Sequence, residues 1–195
     1  YMQSAVPVGV GAMAAIIGLE DSKVEHACEL ARQGEEVLPV NYNSPGQVVI
    51  AGHAAAVERA IEHGQALGAR RGMLLPVSAP FHTSLMKPAA ERLAKKVAEV
   101  TFLKPTIPVV HNVGVAVELD AEKIKDKIIQ QIYSPVPWVA TVNALVDKGV
   151  DTLVECGPGK VLCGLNKRIV KGLNLYSTDN EGALNNTLEA LRNTL

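Results

Sequence analysis

The chain of 195 residues is short of aromatic side chains and carries almost no net charge. Phe, Trp and Tyr make up 4% of it, and the formal net charge is −1. A core with so few aromatics must be built from Val, Ile, Leu and Ala, which suits buried parallel strands covered by helices. The balanced charge gives no electrostatic reason to expect a nucleic acid as partner.

Sequence features that indicate several other protein classes are also missing. No apolar run approaches the ~18 residues of a membrane span, so no membrane is expected as partner. The three cysteines lack paired spacing and fit reduced thiols in a cytoplasmic protein. The histidines show no metal-ligand spacing, and the dinucleotide-binding G-x-G-x-x-G pattern is absent. We therefore expect neither a metal nor a cofactor.

Residues 10–77 combine short apolar runs with helical periodicity. Strands are predicted over residues 13–19, 37–42, 47–51 and 72–77, with helices over residues 22–33 and 54–67. Ser22 and Glu25 have the spacing of a capping box at the start of the first helix. The order βαββαβ is that of the ferredoxin-like arrangement, so the sequence predicts a small domain over residues 10–77.

From residue 78 onward, longer helical segments alternate with short strands. Helices are predicted over residues 85–100, 121–133, 138–148, 160–171 and 183–194, with strands over residues 152–156 and 173–176. This alternation indicates an α/β layer with a mostly parallel sheet. Two or three strands cannot form such a sheet alone. We therefore expect residues 1–9 and 78–195 to be part of a large domain whose remainder lies outside this chain.

The candidate catalytic residue is His82, which lies in a proline-containing turn between a predicted strand and a predicted helix. A loop between two rigid elements is where an enzyme can aim a side chain. Histidine is the side chain best able to accept and return a proton near neutral pH. On position alone, a solvated loop histidine is the alternative.

Four segments of the chain resemble, in order, those of the malonyl-CoA:acyl carrier protein transacylases of fatty-acid synthesis. The segment V-S-A-P-F-H-T-S-L-M at residues 77–86 resembles the family's histidine segment. Residues 11–19 resemble its first small-domain strand, residues 41–52 its N-x-N-S-P-x-Q-x-V-I-x-G hairpin, and residues 155–162 its E-x-G-P-G-x-V-L segment. The resemblance implies a ferredoxin-like small domain beside the C-terminal part of an α/β-hydrolase-like large domain.

The resemblance also implies an activity. In this family a malonyl group moves from malonyl-CoA to the phosphopantetheine thiol of acyl carrier protein by a Ser–His ping-pong mechanism, and His82 takes the place of the general base. The family's nucleophile is the serine of a G-H-S-x-G segment, but no G-x-S-x-G pattern occurs here. We therefore expect a C-terminal portion of a longer enzyme, which needs the missing N-terminal segment as its partner and is inactive by itself.

The resemblance assigns three further residues to the substrate site. It gives the backbone carbonyl of Pro137 the task of orienting His82, and it places Asn43 against the substrate or pantetheine. It associates Phe81 with selection of malonyl over methylmalonyl groups. Each has a plain structural alternative: a proline that starts a helix, an asparagine suited to a turn, and an aromatic side chain that anchors a loop.

Arg70 and Arg71 match a basic pair that the family associates with the carrier protein and with phosphate groups. Acyl carrier proteins are acidic, so exposed guanidinium groups would attract them. An ordinary solvated pair is the alternative. Two other functions remain open: an acyltransferase of different acyl specificity, of the polyketide type, and a non-catalytic fragment that binds a ligand or a protein partner.

Overall fold

The computed structural model of the chain describes residues 1–77 and 79–192, and it is a mixed α/β structure with several sheets. The strands are β1 (Gly11–Ile17), β2 (Val37–Ser44), β3 (Gln47–His53), β4 (Arg71–Leu74), β5 (Val110–His111), β6 (Ala116–Val117), β7 (Thr152–Glu155) and β8 (Asn174–Ser177). The helices are α1 (Asp21–Ala31), α2 (Ala54–Ala66), α3 (Lys87–Ala98), α4 (Ala121–Gln130), α5 (Trp138–Val146), α6 (Val161–Ile169) and α7 (Glu181–Arg192). None of these helices is long and apolar enough to cross a membrane.

The chain folds into two compact units, Tyr1–Trp138 and Val139–Leu195. In the first unit, β1 to β4 form a four-stranded antiparallel sheet in the order β2-β3-β1-β4. The order of elements is strand, helix, two strands, helix, strand, as the sequence predicts for residues 10–77. The predicted domain boundary at residue 77 stays a prediction.

Both faces of the four-stranded sheet are covered, because its strands are apolar at successive positions. On one face, Ile16 and Ile50 pack with helices α1 and α2 around residues such as Val24 and Val57. On the other face, a second buried cluster consists of Met13, Val40, Val49 and Ala51. Side chains alternate between the two faces of a strand, so β1 and β3 each supply both clusters.

The second unit contains the two-stranded parallel sheet formed by β7 and β8. The chain leaves β7 at Glu155 and enters helix α6 after the Gly157-Pro158-Gly159 turn. The carboxylate of Glu155 accepts the N–H groups of Leu162 and Cys163 at 3.1 and 2.8 Å. These are orphan donors of the first helical turn, so the strand's last residue caps the following helix.

Several predicted boundaries needed correction. The capping box at Ser22 is wrong: α1 begins at Asp21, with Glu20 in the extended N-cap position and no side-chain cap. The predicted helix over residues 85–100 begins instead as a 3-10 turn at Ser84–Met86 and becomes α3 at Lys87. The hairpin of β5 and β6 is not predicted, because two-residue strands are too short to show a period. The predicted last helix extended to residue 194, and residues 193 and 194 lie outside the described part.

We predict that Glu155→Gln weakens helix α6 at neutral pH but not in acid. Partial burial favours the protonated acid, but the N–H bonds from Cys163 and Leu162 together outweigh it and lower the pKa of Glu155. A carboxyl whose pKa is lower in the folded state stabilises that state fully above its ordinary pKa. The contribution disappears as the pH falls through the lowered value.

The opening free energy of α6, measured by residue-resolved hydrogen exchange, should fall by up to about 1 kcal/mol in Glu155→Gln at neutral pH. Glutamine resembles the protonated acid, so wild type and variant should converge at low pH. Glu189→Gln, at an exposed position on α7, is the matched control and should change neither value. A difference that persists unchanged in acid would contradict the capping role of the carboxylate.

Candidate active site

His82 lies in the turn that connects the end of β4 to helix α3, and its backbone is in the left-handed region with φ +65°. Histidine is one of the few non-glycine residues found there with some frequency, but the conformation still costs energy. A residue stays in such a conformation only where the surrounding structure holds it. The contacts that hold His82 therefore decide where its ring points.

Two hydrogen bonds hold the backbone of this turn. The N–H of His82 donates to the carbonyl oxygen of Ile132 at 3.3 Å. The buried hydroxyl of Thr83 donates to the carbonyl oxygen of Pro80 at 2.7 Å and so closes the turn around His82. Pro80 itself lies against Gly11 of β1, where any Cβ would overlap the proline ring. The turn therefore packs directly against β1 of the sheet.

The ring of His82 is held by two backbone carbonyls. Its Nδ1 lies 3.0 Å from the carbonyl oxygen of Gln131 and 3.0 Å from that of Ser134. A carbonyl oxygen only accepts hydrogen bonds, so in the neutral ring the proton must reside on Nδ1. The lone pair is then on Nε2. A neutral imidazole with a fixed Nδ1–H and a free Nε2 lone pair is the form that acts as a general base.

The holding carbonyls belong to the segment that begins where helix α4 ends. Gln131 is the C-cap residue of α4, and Ser134 lies three residues beyond it. The chain then runs beside the edge of the sheet. The backbone N–H of Tyr42 in β2 donates to the carbonyl of Val136 at 3.0 Å, and the N–H of Val136 donates to the carbonyl of Val40 at 2.7 Å. The segment that orients His82 is thus itself paired with β2.

The resemblance implies that the carbonyl of Pro137 orients His82, but other carbonyls lie at the ring. The two carbonyls at Nδ1 are those of Gln131 and Ser134, at the end of α4 and three residues before Pro137. The distinction could not come from the sequence, because every residue carries a carbonyl and none leaves a signature of its direction. Pro137 directly precedes Trp138, the first residue of α5, so it lies one residue before the first helical position.

Phe81 packs against two separate apolar clusters. One is the cluster of Met13, Val40, Val49 and Ala51 on the face of the sheet opposite helices α1 and α2. The other surrounds Met86 and consists of Val6, Ala79, Met86 and Ala89. Phe81 is half-buried between them, so it anchors the turn that carries His82. Its association with acyl selectivity stays a prediction.

The remaining predicted residues lie elsewhere on the sheet. Asn43 is half-buried near the end of β2, two residues after Asn41, which forms a parallel bridge with Val136. Arg70 and Arg71 are exposed at the start of β4, and Arg71 pairs with Ile17. Pro80 packs at Gly11, six residues back along β1, so the arginines lie about 20 Å from the His82 turn.

A small cavity lies beside the segment that holds His82. It has a volume of about 290 Å³ and is lined by Tyr1, Met2, Ala89, Leu93 and Ile132. Ile132 is the residue whose carbonyl accepts the His82 N–H. The lining is largely apolar, and the first two residues of the given chain form part of it.

Metal-binding groups and cysteine thiols are further kinds of candidate site. Among residues 1–77 and 79–192 no three His, Cys, Asp or Glu side chains are grouped to hold a metal ion. Burial raises the pKa of the Cys28 thiol to about 12, so it stays protonated and is a poor nucleophile. Cys163 also has a raised pKa, first because of burial and then because of its neighbour Glu155.

We predict that His82 exists as the Nδ1–H tautomer when neutral. Two-bond ¹H–¹⁵N correlation spectra of the 195-residue chain should give Nδ1 the shift of a protonated nitrogen and Nε2 that of an unprotonated one. His53, whose Nδ1 accepts the Glu36 N–H at 3.0 Å, serves as the control and should show the opposite pattern, with the proton on Nε2. A His82 ring protonated on Nε2 would contradict the two carbonyl contacts.

Curated proteins of stated activity are similar to this chain. The "Malonyl CoA-acyl carrier protein transacylase" of Escherichia coli K12 is 52% identical over 189 residues, which are 97% of this chain and 61% of that protein. The corresponding Staphylococcus aureus protein is 42% identical over 90% of this chain and 58% of its own length. The chain therefore spans about three fifths of the curated relatives it matches.

Solved structures of malonyltransferases are also similar to this chain. A crystal structure of an acyl carrier protein S-malonyltransferase from Vibrio cholerae superposes with a TM-score of 0.93 at 55% identity, over 95% of this chain and 61% of that one. A type II PKS acyl-carrier protein in complex with its malonyl-transacylase matches with a TM-score of 0.94 at 48% identity, over 97% of this chain and 61% of that one. The family model "Acyl transferase domain" matches residues 1–180. This chain belongs to the acyl transferase domain family.

Proposed function

We propose that the chain supplies the general base of a malonyl transfer from malonyl-CoA to the phosphopantetheine thiol of acyl carrier protein in fatty-acid synthesis. The observation that carries the proposal is that Nδ1 of His82 lies 3.0 Å from the carbonyl oxygens of Gln131 and Ser134, which puts the lone pair of the neutral ring on Nε2. The names of the matched relatives support the acyl group and the acceptor. The nucleophilic serine would come from the part of such enzymes that this chain does not span.

The chemistry requires two symmetrical steps. The serine hydroxyl attacks the malonyl thioester carbon while its proton passes to Nε2 of His82, and the CoA sulfur leaves with that proton. The pantetheine thiol then attacks the malonyl-serine ester, gives its proton to Nε2, and the serine oxygen recovers a proton as it leaves. In both steps the carbonyls of Gln131 and Ser134 keep Nδ1–H in place and stabilise the imidazolium that forms.

Two other functions remain as alternatives. An acyltransferase of another specificity, of the polyketide type, has the support that one matched structure is a type II PKS malonyl-transacylase. A non-catalytic fragment that binds a ligand or a partner has the support that the chain contains no G-x-S-x-G pattern. On that ground we propose that the 195-residue polypeptide alone is inactive.

We also propose that the chain contains a ferredoxin-like small domain and part of a large domain. The element order over residues 10–77 and the sheet order β2-β3-β1-β4 support a ferredoxin-like small domain. We propose, from the sequence resemblance, that residues 1–9 and 78–195 are part of an α/β-hydrolase-like large domain. Three free cysteines support a reducing, cytoplasmic location.

Acyl carrier protein is the proposed partner, and Arg70 and Arg71 are its proposed contacts. Both guanidinium groups are exposed, which suits attraction of an acidic protein. Their distance of about 20 Å from the turn at Pro80, along β1, would be spanned by the carrier's flexible prosthetic arm rather than by its folded body. Asn43 and Phe81 remain proposed contacts of the substrate.

We predict that His82→Ala abolishes most of the transfer in an enzyme that contains a nucleophile. The N-terminal part of the E. coli relative that this chain does not match would be joined ahead of Tyr1, and malonyl transfer to holo acyl carrier protein measured. Loss of the base should lower kcat/KM by a factor of ~100 or more.

The matched control is His26→Ala, an exposed histidine on α1, which should leave kcat/KM unchanged. The 195-residue chain without the added segment should transfer no malonyl group. If His82→Ala retains full activity in the chimera, the general-base assignment is wrong, and the binding-fragment alternative gains support.

We predict that reversing the charge of Arg70 and Arg71 to Glu raises the KM for the carrier protein in the same chimera. The kcat should stay unchanged, because the two residues are remote from His82 along β1. The effect should shrink as salt is added, since exposed charges are screened within about 10 Å at 0.1 M ionic strength. The matched control changes Lys95 and Lys96, two adjacent lysines on α3, to Glu. An equal rise in KM for both pairs would exclude a specific contact.

A further inference from the structure

A carboxylate from the sheet binds the chain immediately after His82. Glu36 directly precedes β2, and its Oε1 accepts the backbone N–H of Ser84 at 3.0 Å. Its other oxygen accepts the Ser84 hydroxyl in a short hydrogen bond. Both bonds are charge-assisted, and together they join two positions 48 residues apart. One side chain therefore fixes the residue two positions beyond His82.

Glu36 is itself held by the neighbouring strand. Its N–H donates to Nδ1 of His53 at 3.0 Å, and its carbonyl accepts the N–H of His53 at 2.8 Å. The backbones approach so closely here that a Cβ on Gly52 would overlap the Glu36 carbonyl. The backbone that carries this carboxylate is therefore hydrogen-bonded to the end of β3.

The two ends of the His82 turn are secured differently. At its start, Pro80 and Phe81 are packed against the sheet. At its exit, Thr83 and Met86 are buried, but the side chain of Ser84 between them is exposed and is bound by Glu36. The left-handed conformation of His82 persists only where its surroundings hold it, so we expect that loss of the contact at Ser84 lets Nδ1 move away from Gln131 and Ser134.

We propose that Glu36 is a positioning residue for His82, acting through Ser84 to hold the ring in its Nδ1–H orientation. The catalytic meaning of this contact rests on the proposed function of His82 as general base. The contact itself concerns only residues of this chain. A carboxylate that merely capped the turn before α3 would stabilise the fold but would not change the state of the ring.

The test measures the His82 tautomer in the 195-residue chain by two-bond ¹H–¹⁵N correlation, at a pH where the ring is neutral. Glu36→Ala should replace the single Nδ1–H signature with averaged shifts of the two nitrogens. Glu36→Gln should restore the wild-type signature, since its oxygen accepts the Ser84 N–H and its amide donates to the Ser84 hydroxyl. Ser84→Ala removes only the hydroxyl and should give an intermediate shift.

The matched control is Glu35→Ala. Glu35 is the adjacent residue and loses the same charge, but its carboxylate binds Arg59 at 2.8 Å rather than Ser84. It should leave the His82 signature unchanged. A folded Glu36→Ala chain with the wild-type signature would overturn the proposal, as would an equal change in Glu35→Ala. If Glu36→Ala does not fold, an unchanged His82 signature in Ser84→Ala would overturn the proposal instead.

A second measurement separates this inference from the proposed function. In the chimera with the E. coli N-terminal part, Glu36→Ala should lower kcat by up to about 100-fold, the cost of a misplacement near 1 Å, with the KM for malonyl-CoA unchanged. A shifted tautomer in the chain together with an inactive wild-type chimera would retain Glu36 as a positioning residue and reject the transfer reaction. An active chimera indifferent to Glu36→Ala would reject the positioning role alone.

Discussion

The site depends on the backbone carbonyls of the segment that follows helix α4. Nδ1 of His82 lies against the carbonyls of Gln131 and Ser134, and the backbone N–H of His82 donates to that of Ile132. Buried or half-buried polar groups must be paired, so each side satisfies the other. This mutual satisfaction keeps a histidine in a left-handed conformation and fixes which ring nitrogen is basic.

The sheet makes this arrangement rigid. One face is covered by α1 and α2, and the other carries the apolar cluster on which Phe81 rests. The edge strand β2 pairs with the segment around Val136, directly beyond the carbonyl of Ser134. The histidine and the groups that orient it are therefore fastened to the same four strands, and the lack of a side chain at Gly11 and Gly52 permits the close approaches.

Much of this fold could be predicted, because the signals are local. Apolar periodicity placed the strands and helices of residues 10–77 in their correct order, and a glycine-rich turn placed α6 after β7. The errors have local causes as well. Ser22 has capping chemistry, but Asp21 already lies in the helix, and the two-residue strands β5 and β6 are shorter than any readable period. The Pro137 assignment failed because carbonyl direction is set by the fold.

The sequence by itself determined the family, the histidine and the missing nucleophile pattern, since side-chain identity and spacing are written in it. Only the tertiary structure decided how the histidine is held. The carbonyls of Gln131, Ile132 and Ser134 lie about 50 residues away along the chain. The carboxylate of Glu36 lies as far away in the other direction. Backbone groups are the same in every residue and side-chain partners this distant share no local pattern, so their convergence on one turn appears only when the chain is folded.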